Sequence, residues 1–96
     1  MPEITVNISG KRKTAVVIIE DKNGTPQMLD LKQNSGTVNV SGGGLATFTI
    51  VAAGDPGDEL TVTLTNATNG QIGPSRTYAF TTRSSIKRAF KFDPDA

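Results

Sequence analysis

From Leu60 to Thr65 the chain reads Leu-Thr-Val-Thr-Leu-Thr, with an apolar side chain at every second position. A period of two puts the three aliphatics on one face of an extended strand and the three threonines on the other, which is the spacing of a strand and not of a helix. The same alternation runs through Ile4-Thr5-Val6-Asn7-Ile8-Ser9 and Thr37-Val38-Asn39-Val40-Ser41. It returns from Leu45 to Ala53, where Ala46, Phe48, Ile50 and Ala52 share a face. Gln27 to Lys32 brings Leu29 and Leu31 together, and Arg76 to Thr82 does the same for Tyr78 and Phe80. Turn-forming clusters separate these segments: residues 21–26, 33–36, 42–44, 54–59 and 66–75, rich in Gly, Pro, Asn and Asp. No stretch keeps helical apolar spacing over two turns.

A strand with one apolar face must close that face on another. Seven or eight short strands, with turns about every ten residues, predict an antiparallel all-β sandwich of immunoglobulin-like type. With 96 residues there is room for one core, so a single domain is expected over 1–92, with residues 93–96 fraying as a tail. The expected core is Ile4, Val6, Ile8, Val17, Ile19, Leu29, Leu31, Val38, Val40, Phe48, Ile50, Leu60, Val62, Leu64, Tyr78 and Phe80. Thr14 to Glu20 is apolar at nearly every position, so both faces should be covered, which predicts a central strand or one lying beneath another segment. Asn23-Gly24 predicts a tight hairpin, and Gly42-Gly43-Gly44 either a flexible bend or a close backbone approach.

The second half resembles the C-terminal half of bacterial immunoglobulin-like and fibronectin-type-III-like domains. Gly44-Leu45-Ala46-Thr47-Phe48-Thr49-Ile50, Pro56-Gly57-Asp58, Leu60 to Asn66, Asn69-Gly70 and Thr77-Tyr78-Ala79-Phe80 carry the resemblance, over about residues 44–82. In the first half, Val6 to Lys11 looks like the opening strand of such modules. A Cys pair and a Trp core marker are both absent, which points away from antibody-type domains. The resemblance implies a spacer, an adhesion unit or an assembly part, and brings no site residues with it.

Composition narrows the chemistry. With no Cys and no His there is no thiolate nucleophile, no imidazole acid–base pair and no Cys/His zinc site. No spacing of nucleophile and base stands out, so the chain is read as a non-enzyme without cofactors. Ten basic residues against nine acidic leave a net charge of +1, which disfavours a polyanion partner for the molecule as a whole. The basic groups Lys11, Arg12 and Lys13 with Arg83, Lys87, Arg88 and Lys91 would serve nucleic acid only as one patch, and without stacking aromatics, so nucleic acid is not the expected partner. Asp55, Asp58 and Glu59 form an acidic loop that calcium would need more oxygens to use, with Asp93 or Asp95 as the nearest suppliers. The longest apolar run, Ala15 to Ile19, is far short of the ~20 residues of a membrane span. Met1-Pro2-Glu3-Ile4 has no basic stretch leading into an apolar one, so the expectation is a cytoplasmically made protein or a module of a longer surface protein.

Two functions fit. The first is a structural or assembly module (spacer, capping or interaction domain) of a cell-surface or virion structure, contacting a protein partner or a second copy. Its candidate clasp is the segment with Ile86, Lys87, Arg88, Phe90 and Phe92, where apolar and basic residues interleave. The second is a module that binds carbohydrate or another polymer through loops 54–59 and 66–75, read as lying at one end of the sandwich. The segment from Ile86 to Phe92 separates the two: exposed, it needs a partner, whereas buried in the domain's own core it withdraws its support from assembly.

Overall fold

Each alternating segment forms a strand with its apolar positions turned inward. The structure, a computed structural model, describes residues 2–31, 33–81 and 84–96, and the expectations for Lys32, Thr82 and Arg83 lie outside these. Nine strands are present among the described residues: β1 (Glu3–Gly10), β2 (Thr14–Glu20), β3 (Pro26–Asp30), β4 (Ser35–Asn39), β5 (Ala46–Ala53), β6 (Glu59–Asn66), β7 (Gly70–Gln71), β8 (Arg76–Ala79) and β9 (Ser85–Phe92). The ninth is the two-residue β7, which folds Gly70 back onto Asn66 within a segment expected to be loop.

All pairings are antiparallel. A five-stranded sheet runs β4-β1-β6, with β7 and β8 both paired to β6, and a four-stranded sheet runs β3-β2-β5-β9. The two sheets enclose one core. Ile4, Val6, Ile8, Leu60, Val62 and Leu64 come from the central strands of the first sheet, and Ala15, Val17, Ile19, Ala46, Phe48, Ile50 and Ala52 from those of the second. The molecule is an all-β sandwich. Leu29 and Tyr78 pack on the edge of the core and are half-buried, while the alanines, Ile72, Ile86 and Phe92 extend it.

The chain changes sheet between β1 and β2. There Gly10 has φ 98° and the Lys11 N–H donates to the Glu59 carbonyl at 3.0 Å. A side chain at Gly10 would strike that carbonyl, so only glycine fits. The β2–β3 hairpin is wider than Asn23-Gly24 predicts. Pairing resumes only at Glu20↔Pro26, and only Gly24 of the two has positive φ. The Asp21 carboxylate shapes the turn, its Oδ1 accepting from the N–H groups of Asn23 at 2.9 Å and Thr25 at 3.0 Å.

The C-terminal residues, expected as a loose tail, pack against the end of the sandwich. Pro94 is fully buried, and its carbonyl accepts from Asn66 Nδ2 at 2.6 Å. The Asn66 Oδ1 accepts from the N–H groups of Thr68 and Asn69, so this 4% exposed amide is satisfied on both sides. Asp95 Oδ2 accepts from the Gly43 N–H at 2.7 Å, and its carboxylate occupies the space a side chain at Gly42 would need. The triple glycine is thus a place of close approach.

Two outcomes test this packing. Phe48→Ala should cost about 3–5 kcal/mol in urea unfolding, because its fully buried ring leaves a cavity between the sheets; a loss below about 1 kcal/mol would mean the ring is not packed as described. The Thr25 N–H, and after it that of Asn23, hold the Asp21 carboxyl below its ordinary range. Its pKa is then lower folded than unfolded, so its stabilisation is present above the unfolded value and is lost as pH falls through the folded one. The stability gap between the parent and Asp21→Ala should therefore close in acid, and a gap independent of pH would contradict the turn geometry.

Candidate functional site

The segment from Ile86 to Phe92 is not a free clasp. It forms most of β9, paired along its whole length to β5 from Ala46↔Phe92 to Ala53↔Ser85. Ile86 and Phe92 are buried in the core. The half-buried Phe90 ring lies between two groups: Phe48, stacked at 4.8 Å between centroids, and the Arg76 guanidinium, 3.8 Å from the ring centre. Arg76 comes from β8 of the other sheet, so this stack closes the sandwich along its β8–β9 side. The three apolar residues thus complete the domain's own core. Lys87 and Arg88 stay exposed on an edge strand, where charge discourages pairing with another chain.

The remaining candidates are dispersed. Arg12 donates from Nη2 to the carbonyls of Leu31 and Gln33 and to Asn34 Oδ1, each at 3.2 Å, on the β3–β4 side. Lys13 pairs with Asp55 at 3.0 Å, a contact between two largely exposed groups worth under about 1 kcal/mol. Lys87, Arg88 and Lys91 lie on β9, at the opposite edge of the four-stranded sheet from β3, which sets them apart from Arg12.

In the acidic loop, the Asp55 N–H donates to Asp58 Oδ2 and the Asp58 N–H to the Asp55 carbonyl. No three carboxylates gather to hold a metal among the described residues. Asp93 and Asp95 sit beside Asn66 and Asn69, at the far end of β6 from Glu59. That strand also separates the two loops proposed for a polymer. Residues 54–59 precede it and 66–75 follow it, so the loops start from opposite ends of the sandwich, roughly 23 Å apart. The five aromatic rings are all buried or half-buried, which leaves none as an exposed platform for a sugar.

A surface that the sequence reading missed is the outer face of the four-stranded sheet. Register places its residues in rows from β3 to β9. One row is Asp30, Val16, Val51, Lys87; the next is Met28, Ile18, Thr49, Ala89; a third is Pro26, Glu20, Thr47, Lys91. Val16 and Ile18 are only half-covered, while Met28 is 69% and Val51 43% exposed. The apolar character of both faces of Thr14–Glu20 was the signal. β2 is a central strand of its sheet, as that pattern predicts, but its second face looks outward.

The outer face of the other sheet is a contrast within the same molecule. It carries Thr37, Thr5, Thr65, Asn7, Thr63, Thr61 and Thr77, with hydroxyl pairs Thr5–Thr37 at 3.1 Å, Thr61–Thr77 at 3.0 Å and Thr63–Ser75 at 2.7 Å. Threonine meets the demands of a strand while keeping a hydroxyl toward water. The valine, isoleucine and methionine of the opposite face therefore exceed what strand formation asks for.

Because those side chains face solvent, Met28→Thr and Val51→Thr should each change stability by no more than about 0.5 kcal/mol in urea unfolding. A loss above about 2 kcal/mol would show the face to be packed within the monomer. No protein-family model matches this chain, nor does any curated protein or solved structure.

Proposed function

We propose that this chain is a non-catalytic assembly module, a spacer, capping or interaction domain of the bacterial immunoglobulin-like kind within a larger surface or virion structure. It binds a protein partner through the outer face of the four-stranded sheet. One observation carries the reading: of two solvent-facing sheet surfaces in one small domain, one is lined mainly by threonine, and the other sets Val16, Ile18, Met28 and Val51 among Thr47, Thr49 and charged residues. An apolar surface bordered by charges is the ordinary make-up of a protein interface, with a dry centre and a polar rim. The separation of Arg12 from the basic residues of β9 weakens the argument for a phosphate polymer. The separation of the two end loops, with no exposed ring, weakens the one for a glycan.

The interface reading predicts which face touches a partner. A photo-crosslinking side chain at Val51, in the whole protein within the cells or particles that contain it, should give discrete protein adducts. The same group at Thr63, on the threonine face, should give none. Equal labelling from both positions, or adducts from Thr63 alone, would overturn the assignment.

A further inference from the structure

We infer that the partner on this face is a second copy of the chain, stacked sheet on sheet about a two-fold axis parallel to the strands. The inference rests on the assembly reading above and names the occupant of that surface. Charge placement carries it. Along the β2–β3 side the rim is acidic, Asp30 and Glu20; along β9 it is basic, Lys87 and Lys91. Two antiparallel sheets stack with their backbones about 10 Å apart and their strands nearly aligned.

Only a two-fold axis lying between the two faces brings them together in a closed dimer. If that axis runs along the strands, β9 lies over the partner's β3 and β5 over its β2. Lys87 then meets Asp30, Val51 meets Val16, and Lys91 approaches the corner held by Glu20. Symmetry makes every one of these contacts twice. If the axis runs across the strands, β9 lies over β9 and Lys87 meets Lys91, a repulsion that selects against this arrangement. The acidic side thus fits the basic side of an identical surface, and the apolar rows fit each other.

The available area bounds the size of the contact. Four strands of up to eight residues span roughly 19 by 26 Å, or about 1,000 Å² for the two copies together. That is the low end for a specific interface, the size class of transient contacts, so the dimer is expected to be reversible.

Sedimentation of the purified full chain at low salt, from about 10 µM to about 1 mM, tests for it. The mass should rise from monomer to dimer with concentration and stop there. Val51→Glu should hold it at monomer, with Met28→Glu as the second variant if the first unfolds. Lys87→Glu should weaken association at least about tenfold, since two ion pairs become two repulsions, and adding Asp30→Lys should restore it. A monomer at every concentration overturns self-association, and so does a dimer indifferent to Val51→Glu or a charge swap without rescue. Discrete Val51 adducts to a different protein beside a monomeric purified chain would leave the interface reading standing while this inference falls.

Discussion

Two sheets have four faces, and one core covers two of them. Burial of the inner faces is the constraint on which the rest of the molecule depends. Ile4, Val6, Ile8, Leu60, Val62 and Leu64 from one sheet meet Val17, Ile19, Phe48 and Ile50 from the other, nearly all without exposure to water. Removing that apolar area from water supplies the main driving force for closing the sandwich. Closure also fixes what is left over: two outward faces whose composition the core does not dictate. Their difference, threonine on one and exposed aliphatics on the other, is the observation on which the proposed contact rests.

The same constraint explains why the C-terminal strand belongs to the fold. A sandwich must be sealed where its sheets end. On one side Phe90 fills the seam between Phe48 and Arg76. On the other, the Leu29 and Leu31 methyls crowd Gly36, where an added side-chain carbon would press on them at 3.1–3.3 Å. At the end where β6 finishes, Pro94 enters the interior and Asn66 holds it there. The aromatic residues that made Ile86 to Phe92 look like a clasp are thus used in sealing the seam. What β9 offers outward is Lys87, Ala89 and Lys91, the basic border of the apolar face.

Much of this was legible in the sequence, because parity is a local property. Period two assigned inward faces to β1, β4, β5 and β6 without any knowledge of their partners. What parity lacks is the identity of the covering surface. Ile86, Phe90 and Phe92 share a face by spacing alone, but their burial depends on pairing with β5, some forty residues earlier. Val16 and Ile18 show the converse: an apolar position predicts that something covers it, and here the chain itself does not. Asn66 reads as one more turn residue until Pro94 arrives from 28 positions away. The opposite placement of loops 54–59 and 66–75 could have been read directly, since an eight-residue strand lies between them.

In the proposed dimer the aliphatic outer face is the contact between two copies of the chain, and the threonine face stays free. The most direct measurement is the accessibility of individual methyl groups by NMR with a soluble paramagnetic agent, compared between dilute and concentrated protein. The methyls of Val16, Ile18, Met28 and Val51 should become shielded as concentration rises, while those of Thr5, Thr61 and Thr63 stay accessible. Unchanged shielding on the aliphatic face, or equal shielding on both, would contradict the proposed contact.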